Sequence, residues 1–201
     1  WPTDCVSVIH GPSNGGKTAF LLALLKSFLE QGNPSSLLDI EQTTPFSFAA
    51  SMMGPVARSP IFRASREASF ETTRKEVRRF CDLIGEARAK GSVPETMTAL
   101  IAVDSLKKLI PDKLWDEITK DASGKSKRGT DKESGIDGMG GRAGQYKASL
   151  NGAWLDELNR LLKQTGVGMV IVARENVERL MFGESVTLGG GKNLFFDASF
   201  V

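Results

Sequence analysis

Residues 11–18, Gly11-Pro12-Ser13-Asn14-Gly15-Gly16-Lys17-Thr18, combine glycines, a lysine and a hydroxyl at the spacing G-x-x-x-x-G-K-[ST]. Those residue types suit a polyphosphate. Glycines let the backbone wrap close to the anion, so that amide N–H groups and a helix N-terminus face it. In that arrangement Lys17 reaches the β- and γ-phosphates and the Thr18 hydroxyl binds Mg²⁺. The flanks agree: an apolar run, Cys5 to Ile9, precedes the pattern and another, Ala19 to Leu25, follows it. Strand, glycine loop and helix are the context that gives the motif its mechanism. The nucleotide-binding segment is therefore read as Gly11 through Ala19.

Two acids stand where such a loop needs them. Ser35 to Glu41 reads as a strand that carries Glu41 at its C-terminal end, the end at which ligands bind in open α/β sheets. Thr98 to Ser105 is a buried-strand run ending in Asp104, the form of the second nucleotide motif, whose Asp serves the Mg²⁺. Strands alternate with helices along the chain, which predicts an α/β fold whose mostly parallel central sheet is covered by helices on both faces. Lys17, Glu41 and Asp104 then meet at one carboxyl edge.

The supporting elements follow from periodicity. A helix over 16–31 places Phe20, Leu21, Leu24, Leu25 and Phe28 at helical spacing, and Gly32-Asn33-Pro34 stops it. Thr44 is expected to cap a short helix closed by Gly54-Pro55. Residues 60–64 form a candidate third strand. A long amphipathic helix over 69–90 follows, with Phe70, Val77, Phe80, Cys81, Ile84 and Ala87 on one side. Residues 119–132 turn small, polar and basic, and a glycine cluster continues them to Gly144, which predicts a mobile loop. Another amphipathic helix runs to Thr165 on Tyr146, Leu150, Trp154, Leu158, Leu161 and Leu162. The strand 166–173 and an apolar run at the C-terminus complete the chain.

Composition narrows the function classes. The 201 residues suit one α/β domain; 25% charged and 40% hydrophobic residues are ordinary for a globular protein. A net charge of +2 argues for no nucleic-acid partner by its sum, so any such partner depends on where the charges sit. Cys5 and Cys81 are far apart and outside any C-x-x-C arrangement, which reads as two reduced thiols. The single His10 lacks the neighbours of a metal site. No stretch approaches the ~20 apolar residues of a membrane span. A first strand that begins almost at Trp1 and an apolar run that stops at Val201 are read as a core truncated at both ends.

With these motifs in order, the chain resembles the RecA recombinase core, possibly a phage-encoded one, collinearly over nearly all of its length. The pieces that carry the likeness are Gly11 to Thr18, Leu37-Leu38-Asp39-Ile40-Glu41, Ala102-Val103-Asp104-Ser105, Gly138-Met139-Gly140, and Met181-Phe182-Gly183 with Gly190-Gly191. The resemblance implies a RecA-like P-loop NTPase core using ATP and Mg²⁺. Glu41 would be the general base on the attacking water, a role worth ~10²–10⁴ in rate. Residues 119–144 would form the first DNA loop, with Gly138, Met139, Gly140, Gly141, Arg142 and Lys147. Residues 177–192 would form the second, with Arg179, Met181, Phe182, Gly190, Gly191 and Lys192. It further implies single-stranded and double-stranded DNA as partners, a homo-oligomeric helical filament of the full-length protein, no membrane, and a bacterial or host cytoplasm. The positive side chains and close-approaching glycines of both loops suit a phosphate backbone.

The departures from the family are equally specific. Where it carries Asn-Gln at the end of its fifth core strand, this chain has Ala173-Arg174, and Arg174 is expected to take over contact with the γ-phosphate. The basic stretch 119–132 lengthens the first DNA loop, as an extra phosphate clamp or a solvated linker. Two alternatives stay open: another RecA-fold motor, such as a helicase core or a regulatory ring ATPase, and a non-catalytic recombination mediator that binds nucleotide only to hold a shape.

Overall fold

The structure, a computed structural model, describes residues 2–113, 141–180, 183–188 and 199–200. Five parallel strands form its centre in the order β3-β2-β4-β5-β1: β1 Val6–Gly11, β2 Ser35–Asp39, β3 Phe62–Ser65, β4 Ala99–Asp104 and β5 Val167–Leu180. β6 Gly183–Leu188 pairs antiparallel with the far half of β5, and the short β7 Ser199–Phe200 adds parallel to β1. Among the described residues four α-helices connect the strands: α1 Lys17–Glu30, α2 Phe46–Met53, α3 Phe70–Ala89 and α4 Gly141–Thr165.

Alternate side chains of the central strands point to opposite faces, and both faces are covered. Leu37, Leu100, Ala102, Val170 and Val172 pack with Leu21, Leu22, Leu25 and Phe28 of α1 and with Met53 of α2. On the other face Leu38, Ile101, Val103, Met169 and Ile171 pack with Val77, Cys81 and Ile84 of α3 and with Trp154, Leu155, Leu158 and Leu162 of α4. This double burial is why β4 and β5 read as continuous apolar runs rather than alternating ones. Phe70 and Trp154 meet edge-on at 5.4 Å between ring centroids, joining α3 to α4. Burial in that layer pushes the Cys81 thiol up to about 11. Among the described residues no helix is long and apolar enough to cross a membrane.

Several boundaries and faces differ from the periodicity reading. Phe20 is 51% exposed, and Leu22 and Leu29 are buried instead, because the apolar stripe of α1 centres on Leu21, Leu25 and Phe28. Tyr146 is likewise exposed, and Leu155 joins the core of α4. Thr44 does not cap α2: its N-cap is Pro45, with no side-chain bond, and Thr44 is buried one residue earlier. Gly141 to Gly144, read as loop, form the first turn of α4. Residues 177–180 and 183–188, read as part of the second DNA loop, belong to an antiparallel ribbon that begins at Glu175. The register sets Val177 opposite Val186 and Arg179 opposite Glu184.

α4 ends in a joint that depends on one glycine. Gly166 has φ +60°, and the Arg88 guanidinium of α3 occupies the space beside it. Arg88 donates there to the Thr165 carbonyl and to the Met97 carbonyl (2.5 Å), satisfying a helix-end acceptor that α4 leaves unpaired. A side chain at 166 meets both a left-handed backbone, costing roughly 1–2 kcal/mol, and the displaced guanidinium, whose charged hydrogen bonds are worth about 1.5–3 kcal/mol. Gly166→Ala is therefore expected to lower stability by about 2.5–5 kcal/mol in urea unfolding; an unchanged midpoint would contradict this account of the joint.

Candidate active site

The loop after β1 enters α1 through Gly16, whose φ of +76° only glycine adopts readily, and no side chain caps the helix. The first amides of α1 therefore remain available to an anion. Lys17 spans the loop: its Nζ donates to the Gly11 carbonyl at 2.9 Å and the Pro12 carbonyl at 2.5 Å. The loop, Glu41, Thr43, Phe48, Asp104 and Val172 line a cleft of about 520 Å³ at the carboxyl edge of the sheet.

β2 and β4 are neighbours, and their register sets Asp39 beside Asp104 at that edge. β2 ends at Asp39, so Glu41 lies just past the strand, where its backbone N–H donates to the Asp104 carbonyl at 3.0 Å. Thr18 Oγ1 donates to Asp104 Oδ2 at 2.6 Å, linking the phosphate loop to β4. Ser105 Oγ donates to Glu41 Oε1 at 2.6 Å and fixes how that carboxylate is presented. Burial raises the Asp104 pKa above its ordinary value; the Thr18 hydroxyl opposes the rise, Glu41 and Asp39 add to it, and Lys17 opposes it. Asp39 is raised too, by burial first, against the attraction of Arg66, whose Nε lies 3.2 Å from Asp39 Oδ2.

These residues fit a Mg²⁺–nucleotide. Thr18 and Asp104 supply the paired oxygens that would hold the metal. No cluster of three acid, His or Cys ligands occurs among the described residues. Mg²⁺ is commonly held in just that way, by one or two carboxylates with phosphate oxygens and water completing its octahedron. The uncapped helix end and Lys17 supply the positive field for the phosphates. Phe48, 41% exposed, offers an aromatic face on the wall of the same cleft.

The sequence-derived residues Lys17, Thr18, Glu41 and Asp104 are thus brought together. Arg174 is paired through its backbone with Gly11, at the start of the loop. Gly141, Arg142 and Lys147 fall on α4, and Arg179 falls on β5. Gly138, Met139, Gly140, Met181, Phe182, Gly190, Gly191, Lys192 and the basic stretch 119–132 lie outside the described residues. Sequence reasoning gave no role to Ser105, Asp39, Phe48 or Arg66. Ser105 and Asp39 stood inside the quoted motifs, one residue from Asp104 and two from Glu41. Arg66 had no signal, because only the fold brings it to Asp39. No model of a known protein family matches the chain, and no curated protein matches it.

The raised carboxyls make a pH prediction. An acid whose folded pKa is raised favours the folded state fully below its unfolded value, here 3.8, and that advantage is lost as pH rises through the folded value. Without divalent cation, Asp104→Asn is expected to gain stability relative to the unmodified protein as pH is raised from below 3.8 towards neutrality. Urea midpoints across that range measure it; a difference that stays flat with pH would remove the buried-charge assignment.

Proposed function

We propose that this chain is a DNA-dependent ATPase of the RecA recombinase class, built on a RecA-like phosphate-loop core. In this reading it binds single-stranded DNA as a filament and pairs it with homologous duplex. The observation that carries the hydrolytic part is the convergence of Lys17, Thr18–Asp104 and Ser105–Glu41 on one cleft at the carboxyl edge. That set contains a polyphosphate cradle, a pair of metal-binding oxygens and a carboxylate held beside them.

Each residue has a separable task. The α1 amides and Lys17 bind and orient the β- and γ-phosphates of ATP, Lys17 exchanging its loop carbonyls for phosphate oxygens. Thr18 and Asp104 would hold Mg²⁺, a cation whose chemistry would be charge neutralisation at the phosphates. Glu41, oriented by Ser105, accepts a proton from water positioned in line with the leaving oxygen. Phe48, on the cleft wall, would offer its ring to the base.

The DNA-binding part is supported by the collinear motif order and by the path of β5. This strand runs from the centre of the sheet past the nucleotide edge and, without interruption, into the β5–β6 ribbon. Arg174 sits in that strand beside Gly11. A shift at the phosphate loop therefore has a rigid route to the region read as the second DNA loop, and Arg174 is the residue on that route suited to sense phosphate.

ATP turnover with and without single-stranded DNA, followed by negative-stain imaging, tests this reading. Stimulated turnover on open filaments is the expected result. Closed rings with unwinding activity would point to a helicase-type motor, and nucleotide binding without turnover would point to a mediator. Glu41→Gln should lower turnover by ~10²-fold or more while ATP binding persists; near-normal turnover would remove Glu41 as the base. Arg174→Ala should lose the stimulation of turnover by DNA, and unchanged stimulation would end its sensing role.

A further inference from the structure

Glu41 stands on a segment, residues 40–45, that lies between the end of β2 and the start of α2. Its backbone is anchored by the Glu41 N–H to Asp104 and by a turn from the Gln42 N–H to the Asp39 carbonyl at 3.2 Å. A general base on so short a tether needs an outside support, since misplacement by about 1 Å can cost ~10²-fold in rate.

Arg66, immediately after β3, is in position to supply it. Its guanidinium donates to the Thr44 carbonyl and pairs with Asp39, gripping the segment at both of its ends. The Arg66 carbonyl accepts from Gln42 Nε2 at 2.9 Å, and the guanidinium carbon lies 3.8 Å above the centre of the Phe46 ring. Two contacts from Arg66 therefore meet the segment that presents Glu41, at Gln42 and Thr44, and two more hold its flanks, Asp39 at the end of β2 and Phe46 at the start of α2. The support itself is fixed: Ser69 caps α3 through the Thr72 N–H at 3.2 Å, and the Phe70 and Ile110 amides pair residues 68–70 with the segment after β4.

We infer that Arg66 is a positioning residue for hydrolysis, clamping the 40–45 segment to the β3–α3 connection so that Glu41 stays aligned with the Thr18–Asp104 pair. The guanidinium also compensates the buried Asp39 charge next to Asp104, and a planar fork can serve Asp39 and the Thr44 carbonyl together where an ammonium cannot. The assignment rests on the reading of Glu41 as the base.

Three variants of the full chain test it: Arg66→Gln, Arg66→Lys, and Arg66→Gln combined with Glu41→Gln. Arg66→Gln is expected to lower kcat by about 10–100-fold while the affinity for a fluorescent ATP analogue changes little. Arg66→Lys should fall between it and the unmodified protein. In the Glu41→Gln background the further loss should vanish, because Arg66 acts through Glu41; a loss of equal size there overturns the inference, as does an unchanged kcat. Amide hydrogen exchange supplies the readout that is independent of turnover. Faster exchange at residues 41–44 in Arg66→Gln, with α3 and β4 protection retained, supports the clamp. Unchanged exchange at 41–44, or loss of protection throughout the fold, overturns it. Absence of hydrolysis in the unmodified protein would sink the ATPase reading and leave the exchange result to decide the clamp.

Discussion

The hydrogen bond from Thr18 to Asp104 is the contact around which the structure is arranged. Asp104 is 4% exposed, beside Asp39 in the register and close enough to Glu41 for the two charges to oppose each other. Three carboxylates gathered at one sheet edge are an electrostatic load, since burial penalises each charge and like charges penalise one another. The load is carried by a few opposing groups. Thr18 donates to Asp104, Ser105 donates to Glu41, Arg66 pairs with Asp39, and Lys17 adds a positive charge nearby. Thr18 is the one that joins the phosphate loop to this cluster, so the position of α1 and the state of the carboxylates are coupled.

That coupling requires a frame that does not yield. β1 and β4 are separated by β5, and Val6 to Val8, Ala99 to Asp104 and Val167 to Ala173 are buried, so the loop and Asp104 are held at a separation that the sheet sets. α1 leaves the loop across one face, and α3 and α4 close the other. Cores packed at crystal-like density resist small shifts, so side chains at the strand ends inherit the precision of the strands.

Much of this frame was legible in the sequence, for a physical reason. A strand buried on both sides must be apolar throughout, which makes Ala99 to Val103 and Val167 to Ala173 unmistakable as runs. The loop from Gly11 to Thr18 was legible as the turn into α1, because its entry at Gly16 takes a φ of +76° that favours glycine. The miscast features are of another kind. Phe20 fitted a helical stripe equally well in either of two phases, and only the sheet beneath α1 selects the one that buries Leu22 and Leu29. The β5–β6 ribbon was hidden because glycines and charges around 183–192 read locally as loop. Its register, which sets Arg179 opposite Glu184, pairs two segments and is displayed by neither alone. Ser105 was visible as a residue and invisible as a partner, because its bond to Glu41 crosses from β4 to the end of β2.

The same load that endangers the site makes it responsive. Without a cation, Asp104 is uncharged more readily than an ordinary carboxyl, and Lys17 is engaged with its own loop carbonyls. A divalent ion at Thr18 and Asp104 would reverse the local sign and relieve the repulsion from Asp39 and Glu41 at once. A polyphosphate would draw Lys17 off Gly11 and Pro12. Both changes fall on Gly11, Thr18 and the strand ends, and Gly11 is in register with Arg174 on the strand that continues into the ribbon. The electrostatic incompleteness of the edge would let a ligand in the cleft be felt beyond it. A site already neutral and fully bonded would bind the same ligand with far less to transmit, because a ligand shifts an equilibrium only by its differential interaction with the two states.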